Sequence, residues 1–368
     1  MGKQFGAIYL ILGTCVAAGM LGLPVVTATH QFSMTLIMIL SAWVLMTAGA
    51  WCLLQVTLTM PANANLISMS QQTLGPIVKW LTWCIYLLLL YSLICAYLAA
   101  ASDLLQHLCQ RFHIIISSWL STIIAVLILG GIVTHGIRSV DLTNRVLVSV
   151  KLIIALLVII SVIPFVYPHQ LMLGNTHWDN SAWLVIICAF GYAIILPSIR
   201  DYLGNDKKKL TRVIMIGSFL PAILYITWIA VVQGALDRAA LVIMNHSSHT
   251  NSLLMTNLAD LTHHTIVKSM SVIFIYICSI TGFLGVSICL IDFLADGTRI
   301  KKQGKNKLLL AAIAFLPPTI IVILDPSIFI RALTYAGFFC LYILIALPIV
   351  MYVRMMIDDR SANKRTTP

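Results

Sequence analysis

From Phe5 to Ala28 the chain carries no charged residue. As a helix this stretch is about 36 Å long, enough to cross the roughly 30 Å hydrocarbon core of a bilayer. Gly13, Gly19, Gly22 and Pro24 nevertheless make it a poor continuous helix. Non-helical backbone at membrane depth is tolerated only where protein buries it or where it lines a cavity. The stretch therefore predicts a broken first span with a ligand site near the bilayer midplane, built from freed backbone N–H and C=O groups. The alternative is that the glycines serve only close helix packing.

The rest of the chain repeats the apolar character. Of 368 residues 60% are hydrophobic and 10% charged, with a mean hydropathy of +0.98. That balance excludes an ordinary soluble domain and points to a polytopic helical membrane protein. The first apolar run is too long for a secretory signal, lacks a clean small-x-small cleavage site and is followed by many more spans. The net charge of +11 does not indicate nucleic acid, because the basic residues cluster in short loops between apolar runs. The nine cysteines lie almost all within apolar runs with no CxxC pair, so they read as small buried hydrophobes.

Hydropathy predicts ten spans, roughly 5–28, 33–59, 77–104, 114–133, 145–167, 181–203, 211–235, 265–296, 307–324 and 328–353. With a cytoplasmic N-terminus, 18 of the 23 Lys and Arg fall in cytoplasmic segments. Only Arg111, Arg238, Lys268 and Arg331 fall on the other side, so both termini are expected in the cytoplasm. The ten spans divide into two fives. The sixth is also interrupted, by Phe190-Gly191-Tyr192 with Pro197 shortly after. Breaks at matching places in two halves point to an inverted-repeat secondary transporter. The third and eighth spans are the long ones and are expected to tilt.

The two breaks define a candidate site. The amides of Ala17, Ala18, Gly19 and Met20, beside Thr14, would present a positive helix end to a carboxylate. Carbonyls of Val16, Ala189, Phe190 and Gly191 would suit an ammonium group, and the two together describe an α-amino acid. Tyr91 and Tyr97 in the third span, with Phe190 and Tyr192, are candidates for an aromatic side-chain pocket, against ordinary packing. Lys151 lies about two turns into the fifth span. A lysine at that depth either faces the protein interior or snorkels to the surface. A buried one can exchange a proton and occupy the place of a sodium ion, which makes Lys151 the candidate coupling group. Asp292 and Asp296 near the end of the eighth span read as gate or ion-pair residues. His246, His249, His263 and His264 on the longest outer loop have irregular spacing that does not suggest a metal site. Neither a P-loop nor a hydrolase or metalloprotease signature occurs, so no enzymatic activity and no cofactor beyond a coupling proton is expected.

These residues also resemble a family. Gly13-Thr14 through Ala18-Gly19-Met20-Leu21 with Pro24 is similar to the first-span break of the bacterial hydroxy and aromatic amino acid permeases. Asp141-Leu-Thr-Asn144-Arg145 followed by Lys151, Phe190-Gly191 with Pro197-Ser198-Ile199, and Phe283-Leu-Gly-Val286 with Asp292-Phe-Leu-Ala-Asp296 continue the resemblance in order. Phe315-Leu-Pro-Pro318 and Tyr335-Ala-Gly337 complete it. Within that family the tyrosine-specific proton symporters are the most similar. The resemblance implies an all-α integral membrane protein of ten helices in a 5+5 inverted repeat, the LeuT-like fold of the amino acid–polyamine–cation superfamily, with helices 1 and 6 broken. It implies a single transporter domain, monomeric, in the bacterial inner membrane, importing an aromatic amino acid with protons. Two departures bear on specificity: Ala17-Ala18-Gly19 replaces the family's Gly-Ala-Gly, and bulkier Ala193-Ile-Ile-Leu196 follows the sixth-span break. Another neutral amino acid is the alternative substrate; a sensor without transport is the alternative of another class.

Overall fold

The structure is a computed structural model describing the backbone of residues 2–61, 64–135, 137–262, 265–298, 300 and 305–366. Side chains 18, 135, 137–145, 262, 265–268, 271, 305 and 359–366 lie outside the description. So therefore do the side chain of Ala18, the Asp141–Arg145 motif, Arg138, His263, His264, Arg299 and the basic residues at 301–305, 364 and 365.

The described residues are helical almost throughout. In chain order the helices are α1 (Gly2–Cys15), α2 (Ala18–Val26), α3 (Phe32–Thr59), α4 (Leu66–Leu74), α5 (Pro76–Arg111) and α6 (Ser118–His135). Then follow α7 (Ile137–Val162), α8 (Pro168–Met172), α9 (Asn180–Ala189), α10 (Leu196–Leu203), α11 (Lys207–Ala235) and α12 (Arg238–Asn245). The last are α13 (Thr250–Thr262), α14 (Thr265–Thr298), α15 (Lys305–Leu324), α16 (Phe329–Cys340) and α17 (Leu347–Thr366).

Eight of the described helical stretches are long and apolar enough to cross a membrane, and the bent pair α1–α2 makes up to nine. The expected fourth span is the short one. Its apolar part, Ser118–Thr134, spans about 26 Å, less than a full hydrocarbon core. The expected long spans are indeed the longest helices, α5 at 36 and α14 at 34 residues. The long loop after α11, by contrast, folds into the two helices α12 and α13, which its irregular polar sequence did not suggest.

Helix starts in the loops are set by local chemistry. Asn65, Asp179, Asp206 and Asp237 each accept a hydrogen bond from an amide of the helix they open, α4, α9, α11 and α12 respectively. Inside the bundle, glycines decide how closely helices cross. A Cβ on Gly337 of α16 would stand 1.9 Å from the Leu184 carbonyl oxygen of α9, and one on Gly49 of α3 2.0 Å from that of Leu344. Leu344 lies in a π-helical stretch, Leu341–Ala346, joining α16 to α17. Its bulged turn pushes a carbonyl against α3, and only a residue without a side chain leaves room.

Gly337→Ala is therefore expected to destabilise the protein by about 1–3 kcal/mol, since overpacking against backbone leaves nothing flexible to move. Gly285→Ala, whose added methyl meets nothing within 4 Å, is the control and should unfold like the parent in detergent. Equal thermal unfolding of both variants would show that the α16–α9 crossing is not tight.

Candidate functional site

The first break lies between α1 and α2, whose axes differ by 50°. Ala17 takes an extended conformation, φ −134° and ψ −166°, as the residue preceding α2. An alanine has no side-chain oxygen, so the first amides of α2 receive no side-chain cap; that of Met20 donates to the Ala17 carbonyl at 3.0 Å, which leaves those of Ala18 and Gly19 at the positive helix end and removes Met20 from the predicted donors. The second break follows α9. After Phe190 the chain tightens into a 3-10 turn, Gly191–Ile195, before Pro197 helps start α10. The tightening interrupts the α-helical ladder without a bend like that of the first span.

The two breaks touch. A Cβ on Gly19 would lie 3.5 Å from Cα of Ala189. Tyr225 of α11 bridges them from behind, its phenol oxygen 2.8 Å from the Cys15 carbonyl and 2.8 Å from the Ala189 carbonyl. One O–H proton serves one carbonyl at a time, so the phenol is shared between the breaks. It is fully buried, with its ring edge-on to Phe190 at 5.0 Å.

Lys151 does not snorkel. It is 1% exposed, and its Nζ donates to the Gly13 carbonyl at 3.0 Å and to Thr281 Oγ1 at 3.3 Å. The absence of a side chain at Gly13 makes this possible, because a Cβ there would stand 2.8 Å from Val148 Cγ1 and push α1 off α7. Among the described residues no carboxylate pairs with Lys151.

A cavity of about 310 Å³ starts at the breaks. Of the predicted site residues, Thr14, Ala17, Tyr97, Gly191 and Lys151 line it. Val16, Met20, Ala189, Phe190 and Tyr192 are buried outside its lining, and Gly19 packs against the other break. Tyr192 points toward Thr47 of α3, 3.4 Å away, and Tyr91 donates to the Ile313 carbonyl of α15 at 2.8 Å. Neither hydroxyl enters the cavity, so of the tyrosines expected there only Tyr97 lines it. Its ring covers Gly282, where a Cβ would lie 2.8 Å from the ring edge. Asp296 lines a separate cleft with Lys79 and Trp83, and Asp292 does not reach the cavity either. Tyr225, Thr281, Gly282 and Cys340 were missed by sequence reasoning. A tyrosine or threonine in an apolar span carries no local mark of what it will face.

The lining residues of the first span come from α1 and Ala17; α2 contributes none. The cavity thus leads toward the end of the bundle at which α1 begins. At the other end Arg238 donates to the carbonyls of Ala28, His30 and Gln170 at 2.9, 3.2 and 3.1 Å. Its cation sits where α2 runs out, at the negative end of that helix. Gln233 adds bonds to the Pro24 carbonyl and Thr27 Oγ1. Burial holds the neighbouring His30 imidazole below its usual value, opposed by Asp179 and aided by Arg238.

Residues 1–368 match the tryptophan/tyrosine permease family. Among individual relatives, the chain is 29% identical to tyrosine-specific transport system 2 of Haemophilus influenzae, over 97% of this chain and 89% of that one. It is 24% identical to glutamine transporter 2 of Aliivibrio fischeri, over 96% and 89%. Among solved structures, an Eremococcus coleocola manganese transporter mutant has a similar fold, with a TM-score of 0.60 at 16% identity, covering 94% of this chain and 77% of that one.

Removing the Tyr225 hydroxyl takes away the proton that the Cys15 and Ala189 carbonyls share, and the Cys15 carbonyl keeps the Ala17 amide at 2.9 Å. Tyr225→Phe is expected to cost about 1–3 kcal/mol in unfolding measurements. Thr227→Val, which loses only a bond to its own helix at Ile223, should cost little. A Tyr225→Phe protein as stable as the parent would mean that the breaks find other donors.

Proposed function

The chain belongs to the tryptophan/tyrosine permease family, and on that footing we propose that it imports an aromatic amino acid, tyrosine first, by proton-coupled alternating access. It is a multi-pass membrane transport protein and not an enzyme. The observation that carries the reading is the contact of two helix breaks beside an apolar cavity whose lining holds a single charged residue, Lys151. At about 310 Å³ the cavity falls at the small end of sites for small molecules, roughly 300–1,000 Å³.

In this reading the amides of Ala18 and Gly19, next to the lining residue Ala17, receive the substrate carboxylate, and carbonyls near the breaks receive its ammonium. Leu89, Leu93, Ile194, Ile195 and Tyr97 supply an apolar wall that accepts an aromatic ring. Among the described residues no carboxylate lines the cavity, which disfavours a basic side chain. Lys151 is the coupling group. Its ammonium ties α1 to α14 through Gly13 and Thr281, and loss of its proton would weaken that tie and free the first break to move. The same ammonium fills a carbonyl- and hydroxyl-lined place that a sodium ion would otherwise need.

The architecture that fits is ten spans in two inverted fives. The first five are α1–α2, α3, α5, α6 and α7; the second are α9–α10, α11, α14, α15 and α16–α17. The likeness to a transporter fold supports it. Spans 1, 2, 6 and 7 would rock against spans 3, 4, 8 and 9. The distribution of Lys and Arg supports a bacterial inner-membrane location with both termini in the cytoplasm, so the cavity leads inward. The glutamine-transporting relative keeps another neutral amino acid as the second reading.

Labelled tyrosine should accumulate in proteoliposomes under an imposed gradient that is acid outside. Uptake indifferent to the gradient would remove the proton mechanism, and competition by unlabelled glutamine but not tryptophan would favour the second reading. Binding without counterflow would indicate a sensor. Lys151→Ala is expected to lower gradient-driven accumulation by about tenfold while changing substrate affinity by less than about threefold. A variant that accumulates normally would remove Lys151 from coupling. Gly19→Leu should abolish binding by forcing the breaks apart while leaving the protein monodisperse; unchanged affinity would mean that the break serves packing alone.

A further inference from the structure

Asp103 lies in α5 near the end of the bundle remote from the cavity mouth and is 2% exposed. Its two carboxylate oxygens face four polar groups, all from the start of α13 or the residue before it. Oδ2 accepts from the amides of Asn251 and Ser252 at 3.0 and 2.9 Å. Oδ1 is 2.5 Å from Ser252 Oγ and 3.1 Å from His249 Nδ1. Asp103 therefore performs, from another helix, the capping that Asp179 and Asp237 perform within their own chain segments. With Nδ1 as the protonated nitrogen of its ring, His249 donates to Oδ1. The partner His249 is not buried: its side chain is 43% exposed. A proton can therefore reach the ring from water and join its second nitrogen while Nδ1–H stays on Asp103.

We propose that His249 and Asp103 form a second proton-binding site, on the outer face, at which an external proton locks α13 onto α5. The proposal goes beyond transport by Lys151 and rests on the orientation given above, not on the identity of the substrate. The imidazole gains a charge only against a carboxylate already fixed in place, so protonation strengthens the bond that holds the lid. Lifting α13 removes the cap from its first amides and separates the two charges. Protonated His249 therefore makes the outer face harder to open, which favours the arrangement seen here, closed at that end.

The surrounding groups are few. On α5 stand His107, Cys109 and Arg111, and Asp103 itself. On α14 stands Tyr276, whose hydroxyl donates to the Leu104 carbonyl at 2.7 Å. Arg238 and His246 bound α12, Asp237 precedes it, and Asp260 lies further along α13. His263, His264 and Lys268 are outside the described residues. No titratable residue occurs on α2, which also touches α13; Lys151, on the neighbouring α7, is bonded to α1 and α14. Asp103 holds the His249 imidazole above its usual value through their hydrogen bond and its charge, against a smaller loss from burial. The sign follows. A group that binds protons more tightly when docked stabilises docking fully below its free value, about 6.5, and loses that effect as pH rises through the docked value.

Hydrogen–deuterium exchange of the amides at 250–262, in the full chain and corrected for intrinsic exchange chemistry, reads the docking equilibrium directly. Protection is expected to fall several-fold as pH rises from roughly 5.5 to 8.5, the direction required by a proton held more tightly when α13 is docked. His249→Gln keeps a neutral donor for Asp103 but binds no proton, and its protection should stay level over the same range. Asp103→Asn should lower protection at every pH and remove the dependence. A His249→Gln protein with the parent's pH dependence, or a parent with none, overturns the proposal. If Asp103→Asn does not fold, the His249→Gln comparison still decides. The measurement uses neither substrate nor gradient, so failure of the transport reading would leave its outcome intact.

Discussion

A carbonyl released where a helix opens inside a bilayer has no water to turn to, and the arrangement around the two breaks follows from that need. Tyr225 serves the carbonyls of Cys15 and Ala189, Lys151 that of Gly13, and Gln233 that of Pro24. Each donor comes from a helix other than the one it repairs. The broken spans are thereby tied to α7 and α11 by directional bonds as well as by packing. A movement of α1 has to exchange one of these bonds for another, which links the state of the site to the position of the helices.

The ties differ between the two ends of the first span. At the far end Arg238 gathers three carbonyls around the end of α2, and its permanent charge suits the helix dipole there. At the near end α1 is held by Lys151 through the Gly13 carbonyl. The cavity opens on the side of the Lys151 tie. Close crossings at Gly49 and Gly337 keep the remaining helices in register around these bonds, so the site sits in a rigid wall with a movable edge.

Much of this was legible in the chain. Long uncharged runs located the spans, because exclusion from water acts on composition alone. Glycine and proline located both breaks, and Lys151 stood out because a charge in an apolar run is rare. The tyrosines show where such reading stops. Tyr91, Tyr97 and Tyr192 looked equivalent, yet one lines the cavity, one bonds α15 and one faces α3. Successive residues of a helix point about 100° apart, so which one faces a cavity depends on how the helix is rotated against its neighbours. His249 stood out on its loop, but nothing in a separation of 146 residues announced that it would meet Asp103.

The sequence by itself determined a helical membrane protein with an interrupted first and sixth span, because hydropathy and backbone flexibility are local properties of the residues that carry them. Only the tertiary structure decided that the breaks touch, that Tyr225 spans them and that Lys151 reaches Gly13 and Thr281. It also decided that the loop after α11 is a pair of helices, the second of them capped from α5. These are relations between distant segments, and their energies depend on distances of a few ångströms that are defined only once the helices have packed.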